Sequence, residues 1–130
     1  LGDVYKRQVI DITAQTGIKS LDVTIDCDNL DARELGTMGI PARFDLCNIE
    51  GFEDTNGTMH PAEDVREAIS ALGFPIEDAV KDKPSIRLKI DKMFTRLLTG
   101  FPGNNNFILT VTENNGLSTT KTLKYYVPAN

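Results

Sequence analysis

Two β-rich runs in the C-terminal third flank an Asn114-Asn115-Gly116 turn, and this pairing constrains the fold more than any other feature. Phe107, Leu109 and Val111 line one face of the first run, and Leu123, Tyr125 and Val127 line one face of the second. A period of two with one apolar face is the pattern of a half-buried antiparallel strand. Asparagine and glycine tolerate the left-handed conformations that hairpin turns require. Pro128 then ends the second arm.

The same period recurs upstream. Val9 to Ala14 reads as a short strand, and Thr16-Gly17 turns the chain into a run from Ile18 to Cys27. In that run Leu21, Val23, Ile25 and Cys27 alternate with Asp22, Thr24 and Asp26. From Ser85 to Ile90, Ile86, Leu88 and Ile90 point one way, with Arg87 and Lys89 the other. The clearest helix runs from Pro61 to Leu72, with Pro61 at its first position and Glu63 and Asp64 in its first turn. Val65, Ala68, Ile69 and Leu72 form its buried stripe, and Gly73 suits its C-terminal cap. Asp91 is placed to cap a second helical turn, which groups Met93, Phe94, Leu97 and Leu98 before Gly100 stops it.

Residues 28 to 60 read as polar and irregular, although Leu35, Met38, Ile40, Phe44, Leu46 and Ile49 must pack against something. Strands separated by turns, without strand–helix–strand alternation over most of the chain, predict a mainly β, antiparallel β-sandwich. A helix-containing insertion at about residues 28 to 83 would lie over it. At 130 residues with 40% hydrophobic side chains, a core can form without metal or disulfide staples. Residues 1 to 8 have no clear period and read as a translated adapter or assembly remnant. On that reading residues 9 to 128 make one domain of a longer protein.

Charge narrows the function classes. Nineteen acidic against 14 basic residues give a formal charge of −5, with no basic cluster. The footprint of a phosphate-backbone binder is therefore missing, and nucleic acid is disfavoured as a partner. No apolar run approaches the ~20 residues that span a bilayer. Cys27 and Cys47 could close a loop worth ~3 kcal/mol, but two free, half-buried thiols is the plainer reading.

Three segments together resemble a known family: Thr13 to Ile25, Ala71-Leu-Gly-Phe-Pro-Ile-Glu-Asp-Ala-Val80, and Phe107 to Gly116. They are similar to immunoglobulin-like modules of Bacteroidetes cell-surface lipoproteins, over roughly residues 9 to 128. The resemblance implies an extracytoplasmic setting and a binding or spacer role without catalysis or cofactor. Its partners would be other domains of the same polypeptide, a surface glycan or a protein. The chain departs from antibody-type domains in having no tryptophan and no Cys…Trp…Cys pattern.

Candidate chemistry is sparse. Asp26, Asp28 and Asp31 suggest a calcium cage, but Leu30 takes the fifth loop place and Thr37 stands where a bidentate glutamate is needed. Solvated acidic turn residues is the favoured reading there, and also for Glu50, Glu53, Asp54 and Asn56. His60, just before Pro61, reads as an exposed residue preceding the helix. Nothing resembling a nucleophile elbow, a phosphate-binding glycine loop or a zinc-protease motif is present. For stacking on sugar rings the exposed candidates are Tyr126, on the outer face of the last strand, and the loop residues Phe52 and Phe101. A non-catalytic structural or binding module is therefore expected first. A carbohydrate-binding module is second, and a pilus-type subunit that exchanges a strand between copies is third.

Overall fold

The terminal hairpin forms as its alternation predicts: β7 (Gly103–Glu113) pairs antiparallel with β8 (Ser118–Val127). A computed structural model describes residues 9 to 89 and 98 to 129. Its turn needs only one left-handed residue, Gly116 at φ +92°, whereas Asn114 and Asn115 keep negative φ. The Gly116 N–H donates to Glu113 O (2.9 Å), and the Glu113 N–H to Leu117 O (2.8 Å). Asn114 serves through its side chain instead: Nδ2 donates to Thr16 O (2.8 Å) and Asp82 Oδ1 (3.1 Å). The hairpin tip is thereby tied to two neighbouring turns.

β7 also pairs with β2 (Ile18–Cys27), and β2 carries a short edge strand, β3 (Arg43–Asp45). The four-stranded order is β3-β2-β7-β8, all antiparallel. A register shift between Ile18 and Ser20 puts one extra residue into β2. That bulge reverses the phase of alternation, so Ile18 and Leu21 are both fully buried while Lys19 is exposed. β1 (Val9–Thr13) and β6 (Ser85–Lys89) form a separate antiparallel ladder, in which Ile12 opposes Ile86 and Ile10 opposes Leu88.

One hydrophobic core joins these pieces. Leu21, Val23, Phe107, Leu109 and Leu123 from the large sheet share it with Ile12 and Leu88 from the small ladder. Each fully buried aliphatic or phenyl side chain contributes about 1.5–3 kcal/mol. The other face of the large sheet is polar, with Thr110 and Thr120 hydroxyls bonded across strands at 3.1 Å. The chain is thus mainly β with antiparallel sheets.

The segment from 28 to 83 is more ordered than its polar, glycine-interrupted sequence suggests. It contains α1 (Ala32–Thr37), β3, the small hairpin of β4 (Phe52–Glu53) and β5 (Met59–His60), and α2 (Ala62–Ala71). Strands of two or three residues are too short to show a period, which is why the sequence reads as irregular there. Leu35, Ile40, Phe44, Leu46 and Ile49 are all buried, and Met38 is partly so. α2 begins one residue later than anticipated: Pro61 is its extended N-cap (φ −70°, ψ 155°). Val65 and Ile69 are completely buried, and Gly73 takes φ +95° just past the helix end. Phe74 then packs edge-on against Phe44 at 5.9 Å, and Arg66 Nε meets Glu77 Oε1 at 2.9 Å. The anticipated Asp91 cap, Ile90 and the group Met93, Phe94 and Leu97 lie outside the described residues, while Leu98 is buried.

Candidate functional site

A polar concavity lies where β3 leaves the sheet. Asp45, opposite Asp22 in the ladder, turns its side chain back so that Oδ1 accepts N–H groups from Leu21 (3.0 Å) and Cys47 (2.9 Å). The Asn48 N–H donates to Asp45 O at 3.0 Å, which reverses the chain at once. This reversal brings Asn48, Glu50 and Phe52 opposite Asp22 and Arg43 across an open cleft of about 420 Å³. Arg43 Nη2 stands 3.7 Å from Asp22 Oδ1, and Asn48 Nδ2 donates to Glu50 Oε1 at 3.3 Å. Three carboxylates (Asp22, Asp45 and Glu50) against one guanidinium make the cleft net negative. Gly51 in its wall has no substitute, because a Cβ there would fall 2.6 Å from His60 O.

Behind the cleft, the Phe52 ring stacks on the His60 imidazole, with centroids 4.8 Å apart and an interplanar angle of 16°. His60 Nε2 is 2.8 Å from Asp54 Oδ2. Asp54 Oδ1 accepts the N–H groups of Asn56 and Thr58, both at 2.9 Å. The His60 bond, aided by those amides, holds the Asp54 carboxyl below the usual carboxylate range. The pair's side chains are only 6% and 18% exposed, so the reading of His60 as an exposed residue and Asp54 as a solvated one is corrected. The β4–β5 hairpin brings the two together, with the Asp54 N–H donating to Thr58 O at 2.9 Å across its turn. The Asp-x-Asn-Gly-Thr turn was the local signal available for Asp54, since such sequences favour a side chain that bonds its own backbone.

Two of the three proposed calcium ligands serve the backbone, each at a different place. Asp31 Oδ1 caps α1 through the Glu34 N–H at 2.9 Å. Asp28 Oδ2 accepts the Asn104 N–H at 2.8 Å, beside Gly103. Asp26 is exposed, opposite Asn106 in the ladder. Among the described residues no three His, Cys, Asp or Glu side chains are grouped to hold a metal ion. The acidic run is therefore spent on a helix cap and a strand end.

The three aromatic candidates do not converge. Tyr126 is 50% exposed on β8, across the ladder from Asn104 and at the far edge of the sheet from β3. Phe101 is not a free loop residue: it is half-buried against the core, and its carbonyl accepts Asn105 Nδ2 at 3.1 Å. Phe52 alone lies in the cleft, on a strand rather than in a loop. Reading the sequence missed its neighbours Asp22, Arg43, Asn48 and Glu50, which only the β3 reversal brings together.

No protein-family model, curated protein or solved structure matches the chain.

Proposed function

We propose that this chain is a non-catalytic, immunoglobulin-like binding or spacer module of a larger extracytoplasmic bacterial protein. The observation that carries this reading is how four aspartates are spent, two exposed (Asp28 and Asp31) and two partly buried (Asp45 and Asp54). Asp28, Asp31, Asp45 and Asp54 each accept backbone N–H groups, and Asp54 also holds His60. A general acid or base needs a carboxyl or imidazole facing a substrate, not one tied into turns. Antiparallel strands over a common core, with a helix-bearing cover, agree with a sandwich-type module. A role at the cell exterior rests on the family resemblance of the three segments above.

Activity assays test the reading directly. The purified chain is expected to release no product from panels of glycan, ester and peptide substrates. Turnover that disappears in His60→Gln would overturn it. Recovery of the intact reading frame tests the setting: an export signal and flanking domains are expected, and a frame with neither would overturn that part.

A further inference from the structure

The two polar pairs in the β3–β4 cleft have a chemistry in common. Asp22 and Glu50 are acceptors, and each has a donor beside it: Arg43 Nη2 at 3.7 Å and Asn48 Nδ2 at 3.3 Å. A hydroxyl both donates and accepts, so two adjacent hydroxyls are matched by a carboxylate lying next to a guanidinium or amide. A phosphate or carboxylate ligand would meet three carboxylates against one cation, an unfavourable balance. A simple cation would be repelled by the Arg43 guanidinium in the same cleft and would gain nothing from the Asn48 amide donor. The half-buried Phe52 ring also lines the cleft, backed and fixed on one face by His60. Aromatic walls combined with a few oriented polar groups are usual in small-molecule sites.

We propose that this cleft binds a neutral saccharide, through vicinal hydroxyls held by the Asp22–Arg43 and Asn48–Glu50 pairs, with Phe52 against the sugar's apolar face. The assignment rests on reading the chain as a binding module and names its ligand class. It places the sugar site away from Tyr126, on the opposite edge of the sheet.

Affinity electrophoresis through gels of neutral polysaccharides (a β-glucan, a xylan, a galactomannan and a fructan), with a charged polyuronate gel alongside, tests it. Retardation in at least one neutral gel is expected. Arg43→Ala and Glu50→Gln, both at exposed side chains, should each weaken it about tenfold, the effect of losing one or two hydrogen bonds. Tyr126→Ala should leave it within about twofold. Circular dichroism of each variant shows that it has folded. No retardation in any neutral gel, stronger binding to the polyuronate, or loss in Tyr126→Ala alone would overturn the assignment. Reducing-sugar release, measured on the same samples, separates the two readings. Release would overturn the non-catalytic module while leaving the saccharide site. Absence of both binding and release would overturn the saccharide site alone.

Discussion

Asn105 and Tyr125 face each other across the β7–β8 ladder, and Asn105 Oδ1 and the Tyr125 hydroxyl are buried without a hydrogen-bond partner among the described residues. Tyr125 nonetheless contributes its ring, edge-on to Phe107 at 6.0 Å. Removing only the hydroxyl should therefore cost nothing, and Tyr125→Phe is expected to keep or raise stability by up to about 1 kcal/mol. Tyr125→Ala should lose about 3–5 kcal/mol, because the ring goes as well. Burial also pushes the Tyr125 phenol up to about 12. A raised folded value means that stability is full below the unfolded value of about 10 and is lost as pH climbs toward 12. Thermal melts at about pH 9 and pH 11 should show a smaller alkaline loss in Tyr125→Phe than in the parent. Equal losses would contradict this.

The Asp54–His60 contact sets behaviour at the acid end. Asp54's lowered folded value means that its contribution is present above the ordinary carboxylate range. It is lost as pH falls below about 4 and through the depressed value. His60 is the largest cause of that depression. His60→Ala should therefore shift the acid limb of unfolding toward higher pH. It should also lower Tm by several degrees near neutrality, because the Phe52 stack is lost too. Superimposable acid limbs for parent and variant would show that the pair does not hold the β4–β5 hairpin.

How much could be read in advance depended on element length. Strands of five residues or more, such as β2, β7 and β8, show enough alternation to reveal their buried faces, and Leu21, Val23, Phe107 and Leu109 are buried as their period requires. The bulge at Lys19 was invisible, because a one-residue slip changes no composition. β3, β4 and β5 have no period to read, and the cleft they build comes from one aspartate turning its carboxylate toward Leu21 and Cys47. Of the site, only Phe52 was accessible from residue type. Its polar partners are contributed by two strands and a tight reversal that no local pattern announces.

α1 and the β4–β5 hairpin meet with little space between them, which gives a prediction at Gly36. A Cβ on Gly36 would fall 2.8 Å from Asp54 Cβ, an atom with no freedom to retreat. Glycine to alanine within a helix ordinarily gains up to about 1 kcal/mol. Here overpacking outweighs that gain, and Gly36→Ala should lose about 1–2 kcal/mol net. Gly57, at φ +83° with open space around it, is the contrasting position, where alanine meets backbone strain and no clash. Urea midpoints measure both, and an unchanged or higher midpoint for Gly36→Ala would show that the two elements are not in close contact.

Cys27 and Cys47 are both free, the first half-buried and the second buried. Desolvation is the main cause that pushes each thiol up to about 11, and neighbouring aspartates add to it. Thiolate is the reactive form, so at about pH 7.5 each should react roughly 100-fold or more slowly than an ordinary thiol of pKa about 8.5. Mass spectrometry after brief treatment with iodoacetamide should find the folded protein unmodified, and the protein in concentrated guanidinium carrying two adducts. Raising the pH toward 11 should speed native labelling steeply, as ionisation rather than unfolding becomes limiting. Quick single labelling near neutrality would mean that Cys27, the more accessible of the two, sits in a wetter environment than the β2–β7 ladder provides. Full protection that persists at about pH 11 would place the barrier in access and not in ionisation.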